Sequence, residues 1–314
     1  MKNRRLALID MGTNTFHLLI AEINSNGEPE PLVKLKESVK LGQDGISRGA
    51  IAPDAVERAL QTLTNFKTEI EKYEVSEVRA VATSAVRNAA NGIKLITAIQ
   101  EQTGIEVEVI SGDREAELIY YGVKSALEIG SERSLIIDIG GGSVECIICD
   151  GDTIFWKQSF EIGAQRLMDR FFITDPISAA DMEAEMEFLE KELEPLTEAI
   201  AQYKPCALIG SSGTFDTLCD IDVRRKGLDR TCDPCTESDL ALSDFYEIYD
   251  DILKKTRSER LAIPGMMEMR VDMIVVACIL IDHVLENYEL NKIRVSSYAL
   301  KEGLLSEQLR FAEK

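Results

Sequence analysis

With 314 residues, 45% hydrophobic and 29% charged, the chain is long enough for two domains that each bury a core, and its balance is globular rather than disordered. A formal net charge of −20 argues against duplex nucleic acid as a partner, because that binding depends on clustered lysines and arginines. The longest apolar run, residues 274–281, sits between Asp272 and Asp282 and is too short to span a bilayer, so no membrane association is expected.

In chain order, a basic start runs into apolar residues interrupted by Asp10 without a small-residue cleavage site. No signal peptide is read, and a cytoplasmic location is expected. Residues 4–11 predict a strand ending in Asp10-Met11-Gly12-Thr13-Asn14-Thr15, and residues 16–23 a second strand. Thr13, Asn14 and Thr15 can offer donors to an anion or serve as ordinary hairpin-turn chemistry. Asn26-Gly27 marks a hairpin into a third strand over 31–41. Val56, Leu60, Leu63, Phe66 and Ile70 recur at helical spacing and predict a helix over 53–73. A strand over 78–82 leads to Arg87, close enough to a strand end for its side chain to enter a cleft, although a surface position is the commoner fate of a lone arginine, and a helix follows to 102. After a strand over 106–110, Ser111-Gly112-Asp113-Arg114-Glu115 opens a helix to about 128, where Asp113 and Glu115 suit the positive helix N-terminus. The boundary to a second domain is expected within 125–133.

Residues 134–150 carry the most distinctive pattern: a strand, then Asp138-Ile139-Gly140-Gly141-Gly142-Ser143-Val144-Glu145, then a strand. Three successive glycines cost backbone entropy and bury no side chain, so close approach of a ligand to the backbone explains them better than chain reversal alone. Their N–H groups can face a phosphate, with Asp138 and Glu145 placed to hold a divalent cation or a water. A plain glycine-rich hairpin is the competing reading. The unit repeats the layout of residues 4–23.

Residues 153–162 extend this sheet, Gly163-Ala164-Gln165-Arg166 starts a helix to 172, and residues 178–203 predict one long acidic amphipathic helix. A strand over 205–209 ends in Gly210-Ser211-Ser212-Gly213-Thr214, a strand-to-helix junction that favours an anion or a nucleotide group. Arg224, Arg225, Lys226 and Arg230 form a basic cluster expected in a loop, either solvated or facing a polyanion. Helices are predicted over 238–255 and 265–286, a strand over 292–295, and a closing helix to 310 capped by Ser296-Ser297. The seven cysteines, among them Cys146, Cys149, Cys206 and Cys278, are expected as buried free thiols. Cys232 and Cys235 lack the second close pair of a zinc site. The two histidines, His17 and His283, leave little scope for histidine chemistry. Strands in hairpin groups followed by helices, twice over, point to two α/β domains with a mixed sheet each.

The stretch from Asp10 to Leu18, ATSAVR at 82–87, ISGDREAEL at 110–118, IDIGGGSVE at 137–145, GAQRL at 163–167, GSSGT at 210–214 and YALKEGLL at 298–305 resemble, in that order, the exopolyphosphatase/guanosine pentaphosphate phosphohydrolase (Ppx/GppA) family. The resemblance implies the actin, Hsp70 and sugar-kinase superfold, two ribonuclease-H-like domains around a cleft. Residues 1–125 with 298–314 would form the first and 126–297 the second, the closing helix packing back on the first. It implies Glu115 as the catalytic glutamate that activates or positions the attacking water. Asp10, Asp138 and Glu145 would be the carboxylates around Mg²⁺ or another divalent cation. Gly12, Thr13, Asn14, Thr15 and Gly140, Gly141, Gly142, Ser143 would form two phosphate loops, with Arg87 and Arg166 as contacts to the phosphate chain. Gly210, Ser211, Ser212, Gly213 and Thr214 take the adenosine-loop position of the superfold.

The implied reaction is in-line attack of water on a terminal phosphate of inorganic polyphosphate or of guanosine penta-/tetraphosphate, and homodimerisation is a family-level expectation. Two departures stand out. Arg114 precedes Glu115 where many members carry a second glutamate, leaving Asp113 as the fallback acid. The chain also stops at Lys314 without the helical extension of some members, so less processive action on a long polymer is expected. An ATP-dependent phosphotransferase and a non-catalytic polyphosphate or nucleotide sensor are the competing readings.

Overall fold

Alternation along the strands decides what each half buries and what it turns toward its neighbour. The computed structural model describes residues 4–228 and 236–312; Arg230, Cys232 and Cys235 lie outside the described residues. The first sheet is built from β1 (Arg4–Met11), β2 (Thr15–Ile23), β3 (Pro29–Ser38), β4 (Glu77–Ala82) and β5 (Val107–Val109), in the order β3-β2-β1-β4-β5. The first three strands are an antiparallel meander, and β4 and β5 join in parallel. The second sheet contains β6 (Ser134–Ile139), β7 (Val144–Cys149), β8 (Ile154–Phe160), β9 (Ala207–Ser211), β10 (Glu237–Leu240) and β11 (Ile293–Ser296). Its order, β10-β11-β9-β6-β7-β8, read from β8 repeats the meander-plus-two-parallel plan and adds β10 as an antiparallel edge. This is the ribonuclease-H-like arrangement, present twice.

Three apolar cores follow. Ala7, Ile9 and Met11 face the first half's own core with the helix Pro53–Lys72. Leu135, Ile137 and Ile139 face the second half's core with the helix Met273–Asn287. The alternate residues Leu8, Leu19, Ile136, Ile147 and Ile209 meet in a third core between the sheets, filled by Leu118, Ile119 and Val123 of the helix Gly112–Ala126 and by Leu300 and Leu304 of the closing helix Leu300–Ala312. Those two helices cross at backbone contact: a Cβ on Gly122 would sit 1.9 Å from the Ala299 carbonyl oxygen, and one on Gly303 1.8 Å from that of Leu118. Only glycine permits so close a crossing. Glu307 of the closing helix accepts from Arg79 at 2.6 Å and also from Arg114, so the closing helix packs against elements of the first half.

Several elements differ from the sequence expectation. The helix expected over 178–203 is two, Ala179–Glu192 and Glu194–Tyr203, because Pro195 cannot continue the first and instead takes the opening turn of the second. Residues 237–240 form the edge strand β10, and the helix expected there is Leu242–Lys254. The helix expected over 265–286 is a short 3₁₀ turn, Glu268–Arg270, followed by Met273–Asn287. The closing helix is preceded by a turn in which Ser296 caps Tyr298, while Glu302 accepts from the Ala299 N–H at 3.0 Å. Arg224 and Arg225 finish the helix Ser212–Arg225 rather than lying in a loop. Arg225 pairs with Asp251, and Lys226 with Asp222 and Asp244 at 2.7 and 2.8 Å, so those two charges are committed within the fold. Cys206 is exposed, whereas Cys146, Cys149 and Cys278 are buried free thiols and Cys219 is buried. Among the described residues no helix is long and apolar enough to cross a membrane.

Glu185, on the helix Ala179–Glu192, is fully buried and neither carboxylate oxygen has a hydrogen-bond partner. Burial therefore holds it well above the usual carboxylate range, as a neutral acid. The unfolded chain releases this proton from about pH 4.3 upward while the folded chain keeps it, so the folded state loses stability as pH rises toward the folded-state value. Glu185→Met is expected to flatten the fall in unfolding free energy between pH 5 and 8, and to stabilise by about 1–3 kcal/mol at pH 8. Urea titrations of both proteins across that range check this, and parallel pH slopes would contradict it.

Candidate active site

The same alternation that sends Leu8 and Ile136 between the sheets sends Asp10 and Asp138 there two residues later, at the C-terminal ends of β1 and β6. Asp10 lies opposite His17 on β2 and Val81 on β4. Asp138 lies opposite Glu145 on β7 and Ser211 on β9. Like charges directly across a pair of strands repel, so the Asp138–Glu145 pairing has a structural cost. Around these strand ends is a cavity of ≈ 130 Å³ whose wall includes Asp10, Glu115, Asp138, Arg270, Lys301 and the turns 12–15 and 140–143.

The two turns touch. A Cβ on Gly141 would lie 2.5 Å from Asn14 Nδ2, and one on Gly142 2.5 Å from Thr13 Oγ1 and 2.6 Å from Ser84 Oγ. The glycines are therefore needed for contact between the halves. The carbonyls of the second turn are committed to the helix Ala164–Phe171: Gly140 accepts from the Ala164 N–H and Gly141 from the Gln165 N–H, both at 2.9 Å. Two polar atoms are left open. Asn14 donates Nδ2 to Met273 Sδ at 2.9 Å, but its buried Oδ1 has no partner, and neither has Nε of the buried Arg270. Arg270 is held in place from the next residue, since the fully buried Arg260 donates to the Val271 carbonyl at 2.9 Å and to Asp175 at 2.7 Å.

Burial dominates the electrostatics. It pushes Glu115 up to about 8; Arg87, donating Nη1 to Oε2 at 2.9 Å, pulls down, while Asp10 and Asp138 push up. Asp10 is pushed up to about 7 by burial, with Lys301 opposing and Asp138 and Glu302 adding. Asp138 is raised by burial against two 2.7 Å hydrogen bonds, from Ser211 and Ser212, and against the charges of Arg270 and Lys301. Ser212 reaches it from a backbone at φ +71°, a strained conformation for a residue with a Cβ. Glu145 is raised well above its ordinary range by burial and then by Glu115 and Asp138, although Ser159 donates to it at 2.7 Å. Burial lowers Arg270. It also opposes charge on Lys301, but Glu302 at 2.9 Å and Asp10 more than offset that. His17 falls to about 3 through burial and the nearby Lys301, Lys36 and Arg270, so it is a neutral ring.

Four raised carboxyl groups mark a site short of positive charge. Among the described residues no group of three or more His, Cys, Asp or Glu side chains is arranged to hold a metal. Asp10 and Asp138, at the two strand ends, are residues that could hold a divalent cation; Mg²⁺ ordinarily takes one or two carboxylates and completes its shell with phosphate oxygens and water.

The cavity wall includes Gly12, Thr13, Asn14, Thr15, Glu115, Asp138, Gly140, Gly141, Gly142, Ser143, Ser212 and Gly213. Glu145 lies behind it, held by serine hydroxyls. Asp113, on the same helix turn as Glu115, is exposed. Arg87 and Arg166 stand beside the cavity: Arg87 bonds Glu115, Glu161 and the Ile110 carbonyl, and Arg166 bonds the Gly142 carbonyl at 2.8 Å and Glu161 at 3.2 Å. Gly210, Ser211 and Thr214 are packed away from it; a Cβ on Gly210 would strike the Phe215 ring at 2.2 Å, and one on Gly213 the Arg270 guanidinium at 2.3 Å. Lys36, Asp216, Arg270, Lys301 and, next to the arginines, Glu161 escaped the sequence reading. For Lys301 a signal was present, because it falls inside YALKEGLL. Arg270 had none, since it ends a short 3₁₀ turn where the sequence predicted a continuous helix.

The model of the Ppx/GppA phosphatase family matches residues 19–311. The chain belongs to this family. Relatives include exopolyphosphatase 1 of Mycobacterium tuberculosis, 25% identical over 306 residues, which are 97% of this chain and 88% of that protein. The guanosine-5'-triphosphate,3'-diphosphate pyrophosphatase of Photobacterium profundum is 27% identical over 303 residues, 96% of this chain but 59% of the relative; the chain thus spans well under two thirds of that protein. The crystal structure of an exopolyphosphatase from Cytophaga hutchinsonii superposes with a TM-score of 0.95 at 46% identity, covering 98% of each chain.

Contact between the turns predicts the effect of a single methyl group. Gly142→Ala is expected to force Thr13 and Ser84 away, costing about 1–3 kcal/mol as overpacked sites do, and Thr13→Ala in the same chain to recover part of that loss. Urea unfolding of the single and double variants measures both, and a Gly142→Ala protein as stable as wild type would show that the turns do not meet.

Proposed function

We propose that this Ppx/GppA family member is a phosphohydrolase that removes the terminal phosphate of inorganic polyphosphate and the 5′-phosphate of guanosine pentaphosphate. The observation that carries the reading is Glu115: a buried carboxyl with a proton affinity near neutrality, on the wall of a small polar cavity between two glycine turns. A cavity of ≈ 130 Å³ is below the roughly 300–1,000 Å³ of sites that enclose whole small molecules. It suits the end of a chain of phosphates. The names of the relatives support the same substrates. At the junction 210–214 Gly210 packs against Phe215 and Gly213 against Arg270, while Ser212 and Gly213 line the cavity; the ATP arm of the test below separates a phosphohydrolase from a phosphotransferase.

In this reading Arg270 and Lys301 bring positive charge to the phosphoryl group, and the open Nε of Arg270 is a donor for one of its oxygens. Glu115 takes the proton of the attacking water; a base titrating near the working pH serves that step well. Arg87 fixes Glu115 Oε2 and limits how far its proton affinity rises. Asp10 and Asp138 would hold Mg²⁺, with Ser211 and Ser212 orienting Asp138, and the ion would neutralise charge on the transferred group.

The test is phosphate release from short and long polyphosphate, guanosine pentaphosphate and ATP, with Mg²⁺ and with EDTA. Polyphosphate and guanosine pentaphosphate are expected to yield phosphate and ATP little or none. Glu115→Gln is expected to lose about 100-fold or more, the ordinary contribution of a general base. A wild-type protein inactive on both preferred substrates at every Mg²⁺ concentration overturns the proposal.

A further inference from the structure

Glu161 lies in the link between β8 and the helix Ala164–Phe171 and has a set of partners unusual for a surface glutamate. Its Oε2 accepts from Ser84 Oγ at 2.6 Å and from Arg166 Nη2 at 3.2 Å, and its Oε1 accepts from Arg87 Nη2 at 3.0 Å. Asn88 donates to it as well. Ser84, Arg87 and Asn88 belong to the first half of the molecule, while Glu161 and Arg166 belong to the second. Two guanidiniums, a hydroxyl and an amide converging on one anion from both halves make a donor set that serves phosphate as readily as carboxylate. The Glu161 side chain is 40% exposed, so solute reaches it. Burial alone would raise its proton affinity, but the donors more than offset this and keep it below its ordinary range; it is a charged carboxylate.

The place adjoins the cavity. Arg87 bonds Glu161 with one nitrogen and Glu115 with the other. Arg166 bonds the carbonyl of Gly142, and Ser84 packs on the same glycine. We propose that Glu161 is a built-in competitor for phosphate: its carboxylate occupies an anion site formed by Ser84, Arg87, Asn88 and Arg166, latching the two halves together, and an inner phosphoryl group of the substrate displaces it. A phosphoryl group carries more acceptor oxygens than a carboxylate and can satisfy the same donors. Because the competent state must first release Glu161, the latch lowers apparent affinity for phosphate chains by the fraction of molecules in which it is closed. Glu161 touches no reacting atom in this scheme; it acts through the two arginines. The identity of the ligand rests on the phosphohydrolase reading, whereas the anion site rests on the donor geometry alone.

The experiment is calorimetric binding of tripolyphosphate, at fixed ionic strength and without divalent metal, to wild type, Glu161→Gln and Glu161→Asp. Glu161→Gln keeps the size and removes the charge, and Glu161→Asp keeps the charge but shortens its reach. Glu161→Gln is expected to bind about fivefold more tightly, the scale of a partly exposed ion pair, with an intermediate gain for Glu161→Asp. Adding Arg166→Gln to Glu161→Gln is expected to abolish the gain. Steady-state kinetics on polyphosphate are expected to show the same change in KM. Unchanged or weaker binding by both variants overturns the latch and leaves Glu161 as a brace for Arg87. If Glu161→Gln does not fold, Glu161→Asp decides alone. A wild type that releases no phosphate, beside a Glu161→Gln protein that binds tripolyphosphate more tightly, would remove the phosphohydrolase reading and leave the anion site standing. An active wild type with no gain in binding would do the reverse.

Discussion

Three carboxyl groups on the wall of one cleft, with a fourth buried directly behind them, are the constraint around which this molecule is arranged. Asp10 and Asp138 arrive there because they end the central strands of two sheets, on the face that those sheets turn toward each other. Glu145 arrives as the cross-strand neighbour of Asp138, and Glu115 on the first turn of the helix Gly112–Ala126. Left alone, such a cluster would oppose folding, since each charge is desolvated and each repels the others. The structure answers with raised proton affinities on the acids, with serine hydroxyls on Asp138 and Glu145, and with Arg87, Arg270 and Lys301 brought in from three separate parts of the chain.

Much of the surrounding architecture serves that compensation. The closing helix returns from the far end of the sequence and crosses the helix of Glu115 at glycine-to-backbone contact. That crossing completes the core between the sheets and delivers Lys301 to Asp10. Arg260, fully buried, fixes the segment from which Arg270 projects. Contact between the two glycine turns leaves a cavity sized for a small charged group. Ser212 bears backbone strain to keep a hydroxyl on Asp138. Local departures of this kind, stabilised by a well-packed frame, are expected where a site has work beyond folding.

Arg87 connects the buried cluster to the surface. It holds Glu115 on one side and Glu161 on the other, so the proton affinity of the inner acid and the closure of the outer latch depend on one guanidinium. Arg166 makes the matching link from Glu161 to the glycine turn.

Local pattern carried a large share of this. The two strand-turn-strand units, the helix opened by residues 111–115 and the helix Pro53–Lys72 are encoded by neighbours in sequence, whereas residues 137–145 read locally as either a site or a plain glycine-rich hairpin. The family was legible because seven short motifs keep their order. The break before Pro195 and the edge strand at residues 237–240 were less visible: amphipathic spacing continues across the first, and the second acquires its strand conformation by pairing with β11. Lys301, Arg270 and Glu161 owe their places to long-range packing, each reaching the cleft or its mouth from a segment whose local pattern names no partner. Which side chains alternate toward each face of each strand could be read from residue order alone, because that period is a property of the backbone. That the acid-bearing faces of the two sheets confront each other across one small cavity emerges only in the folded molecule, because it depends on two helices distant in sequence crossing where both have glycine.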